Sequence, residues 1–218
     1  MFWIRQALDD ANYDEALRRC SLLLRWRSAS LHLRLLQSNV LLLAGRAPEA
    51  EGQLRALIAQ HPDNAPAHRA LADALAALER RDQAVAMYQR ALNLDASLTA
   101  IRGPLAEWAL ENGNAARAQE LAVRKPDDSV WEQATWAAVL ARLDRFAEAV
   151  AMVDRATRET MRLKSKPTQA GAYWRIGRAH LALKNDGQAM VAFENARQVD
   201  PQGYYGRMAA EALSAVSR

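Results

Sequence analysis

Cysteine is nearly absent from this 218-residue chain: Cys20 stands alone, so no internal disulfide can form. It falls on an apolar stripe, where a buried, inert thiol is expected. Nine glycines and seven prolines are too few for a disordered or fibrous chain, and the half of the residues that are apolar can fill a core. Lysine occurs only at 125, 164, 166 and 184, so arginine supplies nearly all the positive charge behind a net +4. No apolar run approaches the roughly 18 residues that cross a bilayer, so no membrane insertion is expected. The start, Met1 to Gln6, lacks the layout of a signal peptide and runs straight into Asp9 and Asp10. The expected location is cytoplasmic, or periplasmic or tethered if the chain is a piece of a longer one.

Chemistry is equally scarce. The four histidines, His32, His61, His68 and His180, form no metal-ligand spacing, and His180 is expected in the core. There is no phosphate loop or nucleophile elbow, and Asp9-Asp10 and Asp127-Asp128 read as helix-start acids. No cofactor, no metal and no catalysis are expected. A pI near 9.5 raises nucleic acid as a partner, but acids interleave the basic residues along most of the chain, so no nucleic acid is expected.

What is present is a repeat. Ala16, Ala50, Ala84 and Ala118 recur every 34 residues, and Ala149 and Ala189 continue the series. Four positions after each stand Cys20, Leu54, Tyr88, Ala122, Val153 and Phe193. Seven after come Leu23, Leu57, Ala91, Lys125, Ala156 and Ala196, which completes one helix face. Twelve before lie Ile4, Ser38, Ala72, Ala106, Ala137 and Gly177, mostly small, which allows close helix approach. Gly45 and Gly113 mark the turns, and Pro62 and Pro201 follow helix ends. Ser129 with Glu132 reads as a capping box, and Asn64, Thr168 and Asp186 read as N-caps.

The run from Trp174 through Gly177, Ala189, Phe193, Ala196 and Pro201 resembles a complete tetratricopeptide repeat, as does Leu71, Ala72, Leu75, Ala84, Tyr88 and Ala91. The resemblance implies an all-α fold, a right-handed superhelical solenoid of stacked helix-turn-helix hairpins. It would run as one array over 1–218: a partial repeat at 1–30, repeats at 31–64, 65–98, 99–129, 130–169 and 170–203, and a capping helix at 204–218. The spacing departs from 34 across 99–168, where Pro104 kinks a helix or delays its start to Gly103–Pro104 and Pro126 ends another near Arg124. The next helix is expected to run on through Leu163 until Pro167.

The resemblance also implies a non-catalytic scaffold or adaptor that binds a peptide or helix in a concave groove lined by the first helix of each repeat. Inner-face positions fall on Asn39, Arg69 and Asp73, on Trp131 and Arg142, and on Trp174 and Arg178, with Arg175 beside them. The tryptophans and arginines suit a partly acidic, partly apolar ligand, although the tryptophans would equally pack one repeat on the next. A carboxylate clamp of the kind found in some family members is not matched: Leu35 and Ala70 stand where lysine and asparagine belong. Two alternatives are a docking segment of a larger enzyme or receptor and a bacterial envelope-assembly factor. Phe2 and Trp3 make the N-terminal edge a surface for self-association if a preceding repeat has been removed.

Overall fold

The computed structural model describes residues 2–27, 30–122 and 129–216. They form helices and no strands: α1 Phe2–Asp9, α2 Tyr13–Trp26, α3 Leu31–Leu43, α4 Ala47–Gln60, α5 Ala65–Ala77, α6 Arg81–Leu94, α7 Arg102–Glu111, α8 Ala115–Leu121, α9 Val130–Arg142, α10 Phe146–Thr160, α11 Lys166–Ala182, α12 Asp186–Val199 and α13 Tyr204–Val216. A 3-10 turn, Thr99–Ile101, precedes α7. The chain divides into two compact units, 1–101 and 102–218.

In the first unit, α1–α2, α3–α4 and α5–α6 are antiparallel hairpins, each touching the next. In the second, α7–α8, α9–α10 and α11–α12 are hairpins and α13 lies against α12 and α11. The repeated alanines are why these pairs close. Ala16, Ala50, Ala118, Ala149 and Ala189 are fully buried and Ala84 nearly so, each lying where a larger side chain would hold its helix off its partner. The positions twelve before are buried in every hairpin, and so are those four after except Ala122, which is partly covered.

The six turns share one conformation. The residue five before each repeated alanine has positive φ: Ala11 59°, Gly45 74°, Glu79 59°, Gly113 72°, Asp144 59° and Lys184 57°. Only two of the six are glycine, so four turns carry the left-handed strain that a Cβ imposes, about 1 kcal/mol each. A Cβ on Gly113 would meet nothing within 4 Å, so its replacement tests conformation alone. Gly113→Ala is expected to destabilise by about 1 kcal/mol and Lys184→Gly to be neutral or slightly stabilising. Urea titration of both variants checks this; equal midpoints for Gly113→Ala and the parent would refute it.

Several local expectations shift. The N-cap of α11 is Ser165, not Thr168, because Pro167 occupies the first helical turn, where its missing N–H costs nothing. Thr168 instead donates its hydroxyl to Ser165 Oγ at 3.1 Å. The N-cap of α12 is Asn185, whose side chain accepts from Gln188 N, and Asp186 becomes the first helical residue. Helix α10 stops at Thr160 instead of running to Leu163; the buried Thr160 hydroxyl donates back to the Ala156 carbonyl at 2.7 Å. Helix α7 starts at Arg102, two residues before Pro104. Helix α8 ends at Leu121; Arg124, Lys125, Pro126, Asp127 and Asp128 lie outside the described residues. Asn64 and the Ser129–Glu132 box cap α5 and α9 as expected.

Candidate partner-binding surface

In the first unit, α3 and α5 lie side by side as first helices. Asn39 is half-buried on α3. Arg69 and Asp73, one turn apart on α5, pair at 3.5 Å, and Asp73 also accepts from the Tyr88 hydroxyl at 2.6 Å. Asp73 is therefore held by its own chain. Ala70 is buried in the core, so the position where a clamp asparagine would stand faces no ligand.

The second unit gathers more. Trp131 on α9 donates its indole N–H to the Thr168 carbonyl at 2.8 Å, which fixes the ring against the first turn of α11. It can lie there because Gly171 has no side chain: a Cβ would stand 2.5 Å from Trp131 Cζ2 and 3.0 Å from the Tyr205 ring. Tyr205 of α13 meets Trp131 edge-on, centroids 5.2 Å apart, and Trp174 at 5.6 Å. Arg175 fills the space between them. Its guanidinium carbon lies 4.2 Å from the Trp131 centroid and 4.9 Å from that of Tyr205, and it donates to the Tyr205 hydroxyl at 3.1 Å and the Gly171 carbonyl at 3.2 Å. A flat, weakly hydrated cation suits this stacking where lysine would not.

One turn further along α11, Arg178 lies 5.0 Å over the Trp174 ring and pairs with Glu107 of α7 at 3.1 Å. This bond links the first helices of two hairpins with a third between them in sequence. Arg142 is exposed at the last turn of α9. The structure thus brings together Trp131, Trp174, Arg175 and Arg178. It gives Trp131 and Arg175 packing roles within the unit and leaves Trp174 and Arg178 partly exposed and Arg142 open.

Sequence reading did not single out Gly171 or Tyr205. A glycine in a helix interior was the available signal for Gly171, since it costs helix stability unless something approaches closely. Trp136 is core. Cys20 is fully covered, and burial raises its thiol above the ordinary range, which disfavours the reactive thiolate. His180 is half-buried with Nδ1 enclosed, and burial lowers its pKa, opposed by the nearby Asp154. No described helix is long and apolar enough to cross a membrane.

Comparisons with known proteins bear on the fold. Residues 41–97 and 170–202 match two family models described as tetratricopeptide repeat. No curated protein sequence matches the chain. Similar solved structures include the APC/C hetero-tetramer Cut9-Hcn1, at 16% identity and TM-score 0.60, covering 94% of this chain and 46% of that one. A human IFIT1 dimer with PPP-AAAA is similar at 15% identity and TM-score 0.65, covering 94% and 51%. A tetratricopeptide repeat protein from Parabacteroides merdae is similar at 14% identity and TM-score 0.52, covering 99% and 96%. This chain spans about half the length of the first two, at 46% and 51%.

Proposed function

From its membership of the tetratricopeptide-repeat family we propose that this chain is a non-catalytic scaffold that holds a partner peptide or helix. The second unit supplies the site, on the side formed by α9 and α11. The observation that carries this reading is the arrangement around Trp174. An aromatic ring is held in place by Tyr205 and flanked by Arg178, and both residues keep part of their surface in solvent. A ring with a fixed orientation has already lost the freedom that binding would otherwise remove, which is what makes such residues effective anchors. Helices α9 and α11 carry Arg142, Lys166, Arg175 and Arg178 against Glu132. Arg178 is already paired with Glu107, so the exposed Arg142 is the cation that supports a partly acidic, partly apolar ligand. A docking segment within a longer enzyme or receptor would use the same face.

The test separates binding from packing. A peptide is selected on the intact chain from a displayed random library, and its affinity is then measured for Arg142→Ala, Arg178→Ala and Trp174→Ala beside each variant's melting temperature. Arg142 is exposed, so its replacement should leave melting unchanged. Arg178→Ala and Trp174→Ala are expected to weaken binding roughly tenfold or more. Lower melting with unaltered affinity in both would reject the site.

A further inference from the structure

The largest exposed apolar side chains of the first unit share one end of one hairpin. Trp26 is 89% exposed, Phe2 71%, Trp3 65% and Leu22 43%. Their grouping follows from helix spacing. Glu15, Arg19, Leu22 and Trp26 fall on one stripe of α2, at intervals of four, three and four. Arg19 donates to the Trp3 carbonyl, so this stripe runs beside the start of α1. Leu22 and Trp26 continue it past that start, where Phe2 and Trp3 stand edge to face with centroids 5.3 Å apart.

Charge is sorted along the same hairpin. The acids Asp9, Asp10, Asp14 and Glu15 sit at the turn end, and Glu15 is occupied by Arg18 and Arg19. The other end carries Arg5, Arg25 and Arg27, all exposed. From residue 16 to residue 48 the sequence contains no acid at all. This stretch and 160–185 are where the interleaving of opposite charges seen along most of the chain fails.

We propose that this end of the α1–α2 hairpin is a docking surface for an anionic membrane, with Phe2, Trp3, Leu22 and Trp26 entering the headgroup layer and Arg5, Arg25 and Arg27 engaging lipid phosphates and carboxylates. The chemistry fits that partner on both counts. Indole rings favour the boundary where one edge is apolar and the N–H is wet, and arginines around them gain from a negative surface potential. A second copy placed symmetrically on the patch would oppose these arginines with their equivalents. A nucleic acid strand would need a groove along which successive bases stack, whereas Leu22 offers no stacking face and the two aromatic rings of α1 are turned edge to face. No described helix spans a bilayer, so attachment would be peripheral.

The test is co-sedimentation of the full chain with vesicles of phosphatidylcholine, with and without phosphatidylserine. The chain should pellet with the anionic vesicles, release as salt is raised, and remain in solution with phosphatidylcholine alone. Trp26→Ser should reduce the bound fraction roughly tenfold, and Arg25→Glu with Arg27→Glu at least as much. All three positions are exposed, so unchanged melting is the control for folding. Failure to pellet, or pelleting indifferent to lipid charge or to these variants, would overturn the proposal. So would binding of poly(U) or a concentration-dependent dimer that Trp26→Ser abolishes.

Discussion

Replacing Phe193 by alanine is expected to destabilise the second unit by about 3–5 kcal/mol, and adding Gly177→Leu to recover part of that loss. Phe193 is fully buried on α12 among Ala189, Ala196 and Ala209, with Tyr173, Trp174 and Leu181 around them. Its ring stands over Gly177 of α11: a Cβ there would lie 2.5 Å from Cε1 and 2.6 Å from Cδ1. The ring is enclosed on its other sides, so it cannot swing away. Gly177→Leu alone should therefore cost about 1–3 kcal/mol, although removing a helical glycine would by itself gain about 1 kcal/mol. Against a total stability of roughly 5–15 kcal/mol for a domain, Phe193→Ala alone removes a large part. In the double variant the leucine enters the space the ring vacates. A double-mutant cycle by urea unfolding should then show a favourable coupling of about 1–3 kcal/mol. Strict additivity of the two changes would show that the two side chains do not share one space.

That pair also shows what the sequence could and could not disclose. Gly177 and Phe193 occupy positions found in every hairpin, twelve before and four after the repeated alanine, and their burial followed from the spacing alone. The equivalent pair in the first hairpin, Ile4 and Cys20, inverts the sizes, with the larger residue on the first helix, and both are buried. Helix order and core membership were legible because they depend on period, which a single chain displays. Caps were less so: Ser165 and Thr168 both suit an N-cap, and the choice rests on where Pro167 falls in the first turn. The cluster around Arg175 was half legible. Trp131, Trp174 and Arg175 drew notice by residue type, but Gly171 and Tyr205 complete the box from other turns and another helix, and no local pattern links them. The same limitation hid the role of Arg175, which attracts attention as a binding residue and spends its hydrogen bonds on Gly171 and Tyr205.

Gly206→Ala provides the sharpest reversal of a propensity argument. Gly206 lies inside α13, where alanine would ordinarily strengthen the helix by about 1 kcal/mol. Its Cβ, however, would stand 1.9 Å from the Asp200 carbonyl oxygen and 2.8 Å from that carbonyl carbon. These are backbone atoms of a turn that is itself fixed. Asp200 is buried and caps α12, and both its carbonyl and its side chain accept from Gly203 N, at 3.2 and 3.0 Å. Neither side can yield as a flexible side-chain tip would, so α13 must back away by more than an ångström. That motion pulls Tyr205 off Trp131 and off the Arg175 guanidinium, which loosens the link between α9, α11 and α13. The expected cost is about 3 kcal/mol, the upper end of ordinary overpacking. Amide exchange should quicken along Tyr204–Val216 before the rest of the second unit opens, because the damaged contact belongs to that helix. Tyr205→Phe removes only the hydroxyl bond to Arg175 and should cost about 1 kcal/mol with little change in α13 exchange. If Gly206→Ala instead unfolds at the parent's urea midpoint with α13 still protected, the close approach of α13 to the Asp200 turn does not exist in solution.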